Sequence, residues 1–251
     1  MSGHSKWSKV KNVKAGIDAK KGLFFTKMTR EIMVAVREGG PSPDSNFRLR
    51  LAIQRSKDGA MPNENIERAI KKASGGMEAT NLTELNMEGY GPGGIAIMVQ
   101  ALTDNRNRTI QEIRSAFNRH NGNLGENGCV GWMFESRGII TVPTASLNPD
   151  ELELNANDAG AEDVEAGDGY VDIYTKPQEM EKVRAALEAK KVPVQSAEVT
   201  FSAKNTVNLE EKTAFQALKL LNRLEEMDDV QSVSSNADFS DDIMQKFQAQ
   251  A

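Results

Sequence analysis

The segment DVEAGDGYVDIYT, residues 163–175, decides the fold of this chain. Two short stretches of strand-forming residues, 162–166 and 169–174, meet at Gly167-Asp168-Gly169, a turn sequence typical of a β-hairpin. Helical patterns and outer strands surround this hairpin, with helices at 149–159 and 177–190 and strands at 138–142 and 194–201. The resulting order, βαββαβ, predicts a ferredoxin-like α+β unit.

The chain on both sides of this unit supplies a second set of elements. Strands over 82–90 and 94–102 are joined by Gly91-Pro92-Gly93-Gly94, and a helix over 106–119 and a strand over 129–135 follow. After the ferredoxin-like unit, only a helix and a strand remain, at 209–226 and 229–234. We therefore expect a discontinuous α+β domain, residues 79–137 plus 202–240, with domain 138–201 inserted into it. Residues 241–251 are expected to be a frayed tail.

The N-terminal part has helical periodicity. Apolar residues recur at spacings of three and four at Phe25, Met28, Ile32 and Val36, and Gly39-Gly40-Pro41 ends this helix. A second helix can be capped by Asp44 or Ser45, and a third has the periodic residues Ile66, Ala69, Ile70 and Ala73. Residues 1–78 are thus predicted to be a basic arm and a helical domain. The fold class is α+β and multidomain.

The charge of the chain is distributed unevenly. The net charge is −5, but residues 1–75 hold 16 Lys+Arg and 7 Asp+Glu, which is +9, and residues 76–251 hold 15 and 29, which is −14. Such asymmetry indicates a part that faces nucleic acid and an acidic body. An ordinary solvated helical surface is the alternative, but such surfaces usually mix charges of both signs.

The candidate nucleic-acid-binding residues follow from this excess of cations. Phosphate contact needs cations gathered on one surface, and an aromatic ring among them can stack on a base. The candidates are Lys6, Trp7, Lys9, Lys11, Lys14, Lys20, Lys21, Lys27, Arg30, Arg48, Arg55, Arg106 and Arg108. Arg106 and Arg108 lie near the start of a helix, an unfavourable place for cations. Either an ion pair, with Glu112 or the acidic body, or an anionic partner would offset that cost.

Several classes of function are disfavoured by the composition. With one cysteine and two histidines, the sequence predicts no metal site, and it contains no phosphate-binding or nucleophile-elbow motif, so we expect no enzyme, cofactor or small-molecule substrate. No long apolar run is present, so no membrane span is predicted. The basic, polar N-terminus predicts no secretory signal, which favours a cytoplasmic protein. The oligomeric state stays open, with a monomer favoured.

Five motifs occur in an order that resembles one protein family. They are Gly3-His4-Ser5-Lys6-Trp7, residues 18–27 (DAKKGLFFTK), residues 89–94 (GYGPGG), residues 102–109 (LTDNRNRT), and residues 122–125 (GNLG) through Trp132-Met133-Phe134. The chain is identified on them as a member of the YebC/PmpR family. The resemblance implies three domains and a bacterial DNA-binding transcriptional regulator. Organellar relatives resemble translational activators, so an RNA- or ribosome-associated role in translation is the alternative.

Overall fold

The structure is a computed structural model that describes residues 17–75, 81–144, 149–167 and 169–250. The chain divides into two compact units. One comprises Phe134–Ser202, and the other comprises the chain on both sides of that segment, through Met133 and again from Ala203. The α+β fold class predicted from the sequence is confirmed, with helices first and sheets after them.

Three helices form the N-terminal part, α1 (Ile17–Gly39), α2 (Phe47–Asp58) and α3 (Asn63–Ser74). Their shared core includes the fully buried side chains of Ile32 and Leu49. Helix α2 is capped by Asn46, and not by Asp44 or Ser45 as predicted. The Asn46 side chain accepts from Leu49 N at 3.0 Å and also donates to Ala35 O at 2.7 Å. Asn46 therefore caps α2 and at the same time binds carbonyls at the end of α1.

The second part is a four-stranded sheet with helices packed on it. Its elements before Phe134 are β1 (Thr83–Tyr90), β2 (Ala96–Thr103), α4 (Arg106–Arg119) and β3 (Asn123–Leu124). Those after Ser202 are β8 (Val207–Asn208), α7 (Glu211–Glu225), β9 (Val230–Ser235), β10 (Ala237–Asp238) and α8 (Asp241–Gln250). The strand order is β3-β1-β2-β9, so the segment after the insertion supplies an edge strand. Apolar residues of α4 and α7 share one core with this sheet.

Two expectations for this part were wrong. Residues 129–133 are not a strand, because the backbone there forms a turn and a short 3-10 helix, Gly131–Met133. The last residues are not frayed, because they form α8, whose apolar residues Ile243 and Met244 are buried in the same core as α7. Burial of that apolar stripe stabilises a helix that would be marginal alone.

The unit Phe134–Ser202 has the predicted βαββαβ order. Its elements are β4 (Phe134–Pro143), α5 (Pro149–Ala159), β5 (Asp163–Gly167), β6 (Tyr170–Thr175), α6 (Met180–Ala189) and β7 (Ser196–Ala203). The strand order β5-β6-β4-β7 is that of the ferredoxin-like fold, and β5 pairs with β6 as the hairpin predicted. Gly138 on β4 lies so close to α6 that a Cβ there would be 2.8 Å from the Met180 Cβ.

Candidate nucleic-acid interface

The predicted residues fall into described and undescribed parts of the chain. Those of the N-terminal arm lie outside the described residues: Lys6, Trp7, Lys9, Lys11 and Lys14. Lys20 belongs to α1, but its side chain lies outside the described atoms. The structure describes the side chains of the remaining candidates. Some of them bind a carboxylate or a carbonyl oxygen of the chain itself, and others do not.

Two cations of α1 bind the end of α7. The Lys27 side chain is buried, with 7% exposed, and its Nζ donates to the Glu225 carbonyl at 2.6 Å. The Arg30 guanidinium donates to the Asp228 carbonyl and pairs with the Asp229 carboxylate at 2.9 Å. The last carbonyls of a helix lack intrahelical partners and carry partial negative charge, so cations stabilise them. Lys27 thus fastens α1 to the end of α7, and Arg30 fastens α1 to the segment that follows α7.

Helices α1 and α2 are joined by ion pairs of matching spacing. Arg55 of α2 pairs with Glu31 at 3.1 Å, and Arg48 pairs with Glu38 at 2.6 Å. Arg48 also pairs with Glu84 on β1. Burial disfavours the charged form of Arg48 and so would lower the pKa of Arg48. The hydrogen bond to Glu84 and the negative charge of Glu84 outweigh this effect of burial, so the pKa is raised. The sequence did contain a signal for this ladder, because Glu31 and Glu38 repeat the seven-residue spacing of the two arginines.

Arg106 and Arg108 have different surroundings. Arg108 pairs with Asp104 at 2.9 Å and with Asp229 at 2.8 Å, so it binds the acidic body and not Glu112. Asn105 caps α4 by accepting from the Arg108 backbone N–H at 3.1 Å. Arg106 is exposed and has no hydrogen bond or ion pair with any residue that the structure describes. The unfavourable placement is therefore offset for Arg108 and not for Arg106.

Asp229 is the point where these contacts meet. This carboxylate is buried, with 5% of the residue exposed, and accepts from Thr109 Oγ1 at 2.6 Å and Thr103 Oγ1 at 3.0 Å as well as from Arg108. Burial opposes its ionisation, but the hydrogen bonds from Thr109, Arg108 and Thr103 and the charge of Arg30 outweigh that effect. Together they hold the pKa of Asp229 below its usual range. Asp229 is thus a negative charge that fixes α1 and α4 on the sheet.

A second set of cations remains at the outer surface of the helical part. Its members are exposed and have no ion-pair partner in the described part of the chain: Lys21, Lys57, Arg68 and Lys71. Lys21 was among the candidates from the sequence. The sequence also placed the two cations of α3, Arg68 and Lys71, opposite the apolar face of that helix, but they were not included among the candidate residues.

Successive backbone N–H groups in a glycine-rich loop can form a nest that binds an anion. In the GPGG loop, Gly93 and Gly94 have φ of 75° and 76°, and the loop makes the tight turn between β1 and β2. A cluster of amides does occur further along, where Gly128, Val130 and Gly131 donate to the Glu88 carboxylate at 2.6 to 2.8 Å. Burial would raise the pKa of Glu88, but the three N–H donors outweigh the effect of burial, so the pKa is lowered. The chain itself therefore fills this nest.

Groups suited to metal binding are scattered in the structure. Within the described ranges, no group of three or more His, Cys, Asp or Glu side chains could hold a metal ion. Burial, and then the negative charge of Glu88, raises the pKa of Cys129, which favours the thiol over the reactive thiolate. None of the described helices is long and apolar enough to cross a membrane.

Comparison with known proteins agrees with this architecture of basic helices followed by two α+β parts. The family model described as "TACO1/YebC protein N-terminal domain" matches residues 5–76, and the model described as "TACO1/YebC second and third domain" matches residues 82–237. These matches cover most of the chain. The chain belongs to the TACO1/YebC family, as the sequence motifs indicated.

Individual relatives are similar over almost their whole length. A protein of Dehalococcoides mccartyi (strain CBDB1) named "Probable transcriptional regulatory protein cbdbA400" is 55% identical, with all of both chains covered. An Aquifex aeolicus protein named "Probable transcriptional regulatory protein" is 49% identical over 98% of this chain and 99% of its own. The crystal structure of the conserved hypothetical protein Aq1575 from Aquifex aeolicus has a TM-score of 0.85 at 48% identity, covering 92% and 96%.

Proposed function

We propose that the chain is a non-enzymatic, nucleic-acid-binding regulator of gene expression that binds DNA as a transcriptional regulator. The observation that carries this proposal is the sorting of the cations. The exposed set, Lys21, Lys57, Arg68 and Lys71, is without acidic partners among the described residues and is available to phosphate. The names of the relatives, "Probable transcriptional regulatory protein", support the same class.

The proposal gives the candidate residues two roles. Residues 6–14 with Lys20 and Lys21 contact phosphate together with the α3 cations, and Trp7 stacks on or inserts beside a base. Arg106 extends this contact from the start of α4. Lys27, Arg30, Arg48, Arg55 and Arg108 already bind groups of the chain itself, so they act by positioning the helices.

The experiment is a titration of duplex DNA binding against salt. Removal of one phosphate-binding cation should reduce the slope of log K against log salt by about 0.9. Combined Lys21→Ala, Arg68→Ala and Lys71→Ala substitutions should therefore flatten the slope by roughly 3 if each cation binds one phosphate. Lys182→Ala is the matched control, because that lysine is 72% exposed in the ferredoxin-like unit. An unchanged slope in the triple variant would contradict the proposed surface.

The alternative is an RNA- or ribosome-associated role in translation. Exposed cations such as Arg68 and Lys71 would bind RNA phosphate as well as DNA phosphate, because phosphate contacts carry no sequence information. Crosslinking in cells, followed by sequencing of the recovered nucleic acid, separates the two. Ribosomal RNA favours translation, and discrete promoter fragments favour transcription.

A further inference from the structure

Two exposed aromatic rings lie at one loop of the sheet domain. Among the described residues, the large hydrophobic side chains with high exposure are Tyr90 at 39%, Trp132 at 66% and Leu154 at 63%. Tyr90 Oη donates to the Cys129 carbonyl at 2.9 Å, and Trp132 Nε1 donates to the same oxygen at 3.3 Å. Both rings therefore have a polar atom within hydrogen-bond distance of one carbonyl oxygen, whereas Leu154 lies in the other compact unit.

The loop that carries Trp132 is held in place by two residues, Glu88 and Lys204. The Glu88 carboxylate binds the backbone amides of Gly128, Val130 and Gly131, as described above. On the other side, Lys204 Nζ donates to the Trp132 carbonyl at 3.0 Å, and the Lys204 backbone N–H donates to Met133 O at 2.9 Å. The backbone that presents the ring is thus already ordered, so a ligand would bind it at a low cost in entropy.

The surroundings of the ring select the chemistry of its ligand. The core of a protein–protein interface is enriched in aromatic residues and depleted of charged ones. Here the exposed neighbours along the loop are Glu126, Asn127 and Gly128, and the exposed Lys204 binds the backbone of Trp132. An exposed flat ring with a polar and charged rim suits a planar heterocycle such as a nucleobase. In a double helix, the faces of the bases are covered by stacking, so the ligand must be unpaired.

We propose that Trp132, flanked by Tyr90, is a stacking platform for an unpaired base of single-stranded RNA or DNA. This inference rests on the proposed function, because it assumes that the chain meets nucleic acid, and it adds the strand state of the ligand. The indole N–H is already bound to Cys129 O, so recognition uses the ring face and tolerates any base.

The test uses the whole chain with the substitution Trp7→Phe. The sequence has two tryptophans, so this change leaves Trp132 as the only source of tryptophan fluorescence. Its fluorescence is titrated with a short uridine RNA, a deoxythymidine DNA and a mixed-sequence duplex. We expect the single strands to quench the fluorescence to saturation and the duplex to leave it unchanged. The homopolymer that binds more tightly shows whether the unpaired base belongs to RNA or to DNA. No quenching by either single strand overturns the proposal.

Substitutions then separate stacking from simple proximity. Trp132→Ala should weaken single-strand binding about ten-fold, and Trp132→Phe should retain most of it. Leu154→Ala is the control, because it removes an equally exposed apolar side chain and should change nothing. Equal affinity of Trp132→Ala and the parent chain overturns the stacking role. A concentration-dependent blue shift of Trp132 without nucleic acid also overturns it, because a second copy would then cover the ring.

These outcomes are distinguishable from failure of the proposed function. If the Lys21, Arg68 and Lys71 substitutions weaken binding and Trp132→Ala does not, only the stacking platform fails. If the full chain binds none of the three nucleic acids, both proposals fail.

Discussion

Replacing Asp229 by asparagine tests the idea that this carboxylate joins α1 and α4 to the sheet. The change keeps the size of the side chain but removes the charge that Arg30 and Arg108 bind. A hydrogen bond to a charged group contributes about 1.5–3 kcal/mol, and breaking a buried ion pair costs about 3–5 kcal/mol. Because the two arginine side chains are 23% and 43% exposed, water can replace part of the interaction that is removed. We expect the free energy of unfolding to fall by about 2–3 kcal/mol.

The assay is thermal and urea unfolding of the full chain, followed by circular dichroism. For a chain of this size, the expected loss lowers Tm by roughly 5–10 °C. Asp228→Asn is the matched control, because the side chain of Asp228 is exposed and only its carbonyl binds Arg30. A shift for Asp229→Asn no larger than that for Asp228→Asn would refute the assigned role.

The pH dependence adds an independent check on Asp229. Its pKa is lowered in the folded chain, so the stabilisation is fully present above the unfolded value, about 3.9 for an aspartate. It is lost as the pH falls through the lower folded value. The difference in stability between the parent chain and Asp229→Asn should therefore be large at neutral pH and should shrink below about pH 4. A difference that stays constant down to pH 3 would point to weaker packing instead of the missing charge.

Three further predictions concern other parts of the chain. Gly138→Ala should destabilise the unit Phe134–Ser202 by about 1–3 kcal/mol in urea unfolding, because the new Cβ would lie 2.4 Å from Thr175 Oγ1; an unchanged midpoint would contradict this. Gly22→Ala should instead stabilise α1 by about 0.5–1 kcal/mol, since nothing lies within 4 Å of the added methyl group; a lower Tm would show that the site is constrained. Glu88→Gln should lower the pKa of Cys129 by removing a nearby negative charge, so the midpoint of iodoacetamide alkylation against pH should move down; an unmoved midpoint would exclude that charge as a cause.

Local patterns predicted most of the fold. The hairpin at 167–169, the helix that ends at Gly39 and the βαββαβ order all depend on short-range periodicity and turn residues, and the structure has them. The predicted strand over 129–135 was wrong for residues 129–133, and the error has a different origin. Its apolar residues are compatible with a strand, but Glu88, about 40 residues earlier, binds the amides that a strand would use. A contact of that range leaves no local signal.

The sequence indicated a location for the candidate site and said less about its individual residues. The excess of cations marked the helical part as the candidate, but charge alone does not tell a cation that binds phosphate from one that binds a carbonyl. Lys27 and Arg30 contact groups 198 residues further along the chain, which periodicity cannot reveal. The exposed Trp132 was also unremarked as a site, because an apolar ring in an apolar run is typical of a core residue.

The attachment of α1 to the end of α7 has a consequence for synthesis. The groups that bind Lys27 and Arg30 lie 198 residues further along, and the edge strand β9 comes later still. The ribosome adds about 5–20 residues per second, so roughly 10–40 s pass between the synthesis of these cations and the synthesis of their partners. During that interval the ammonium group of Lys27 and the guanidinium group of Arg30 lack these partners and are open to other anions. Nascent chains therefore present nearby polyanions with a different surface from the one that mature molecules present.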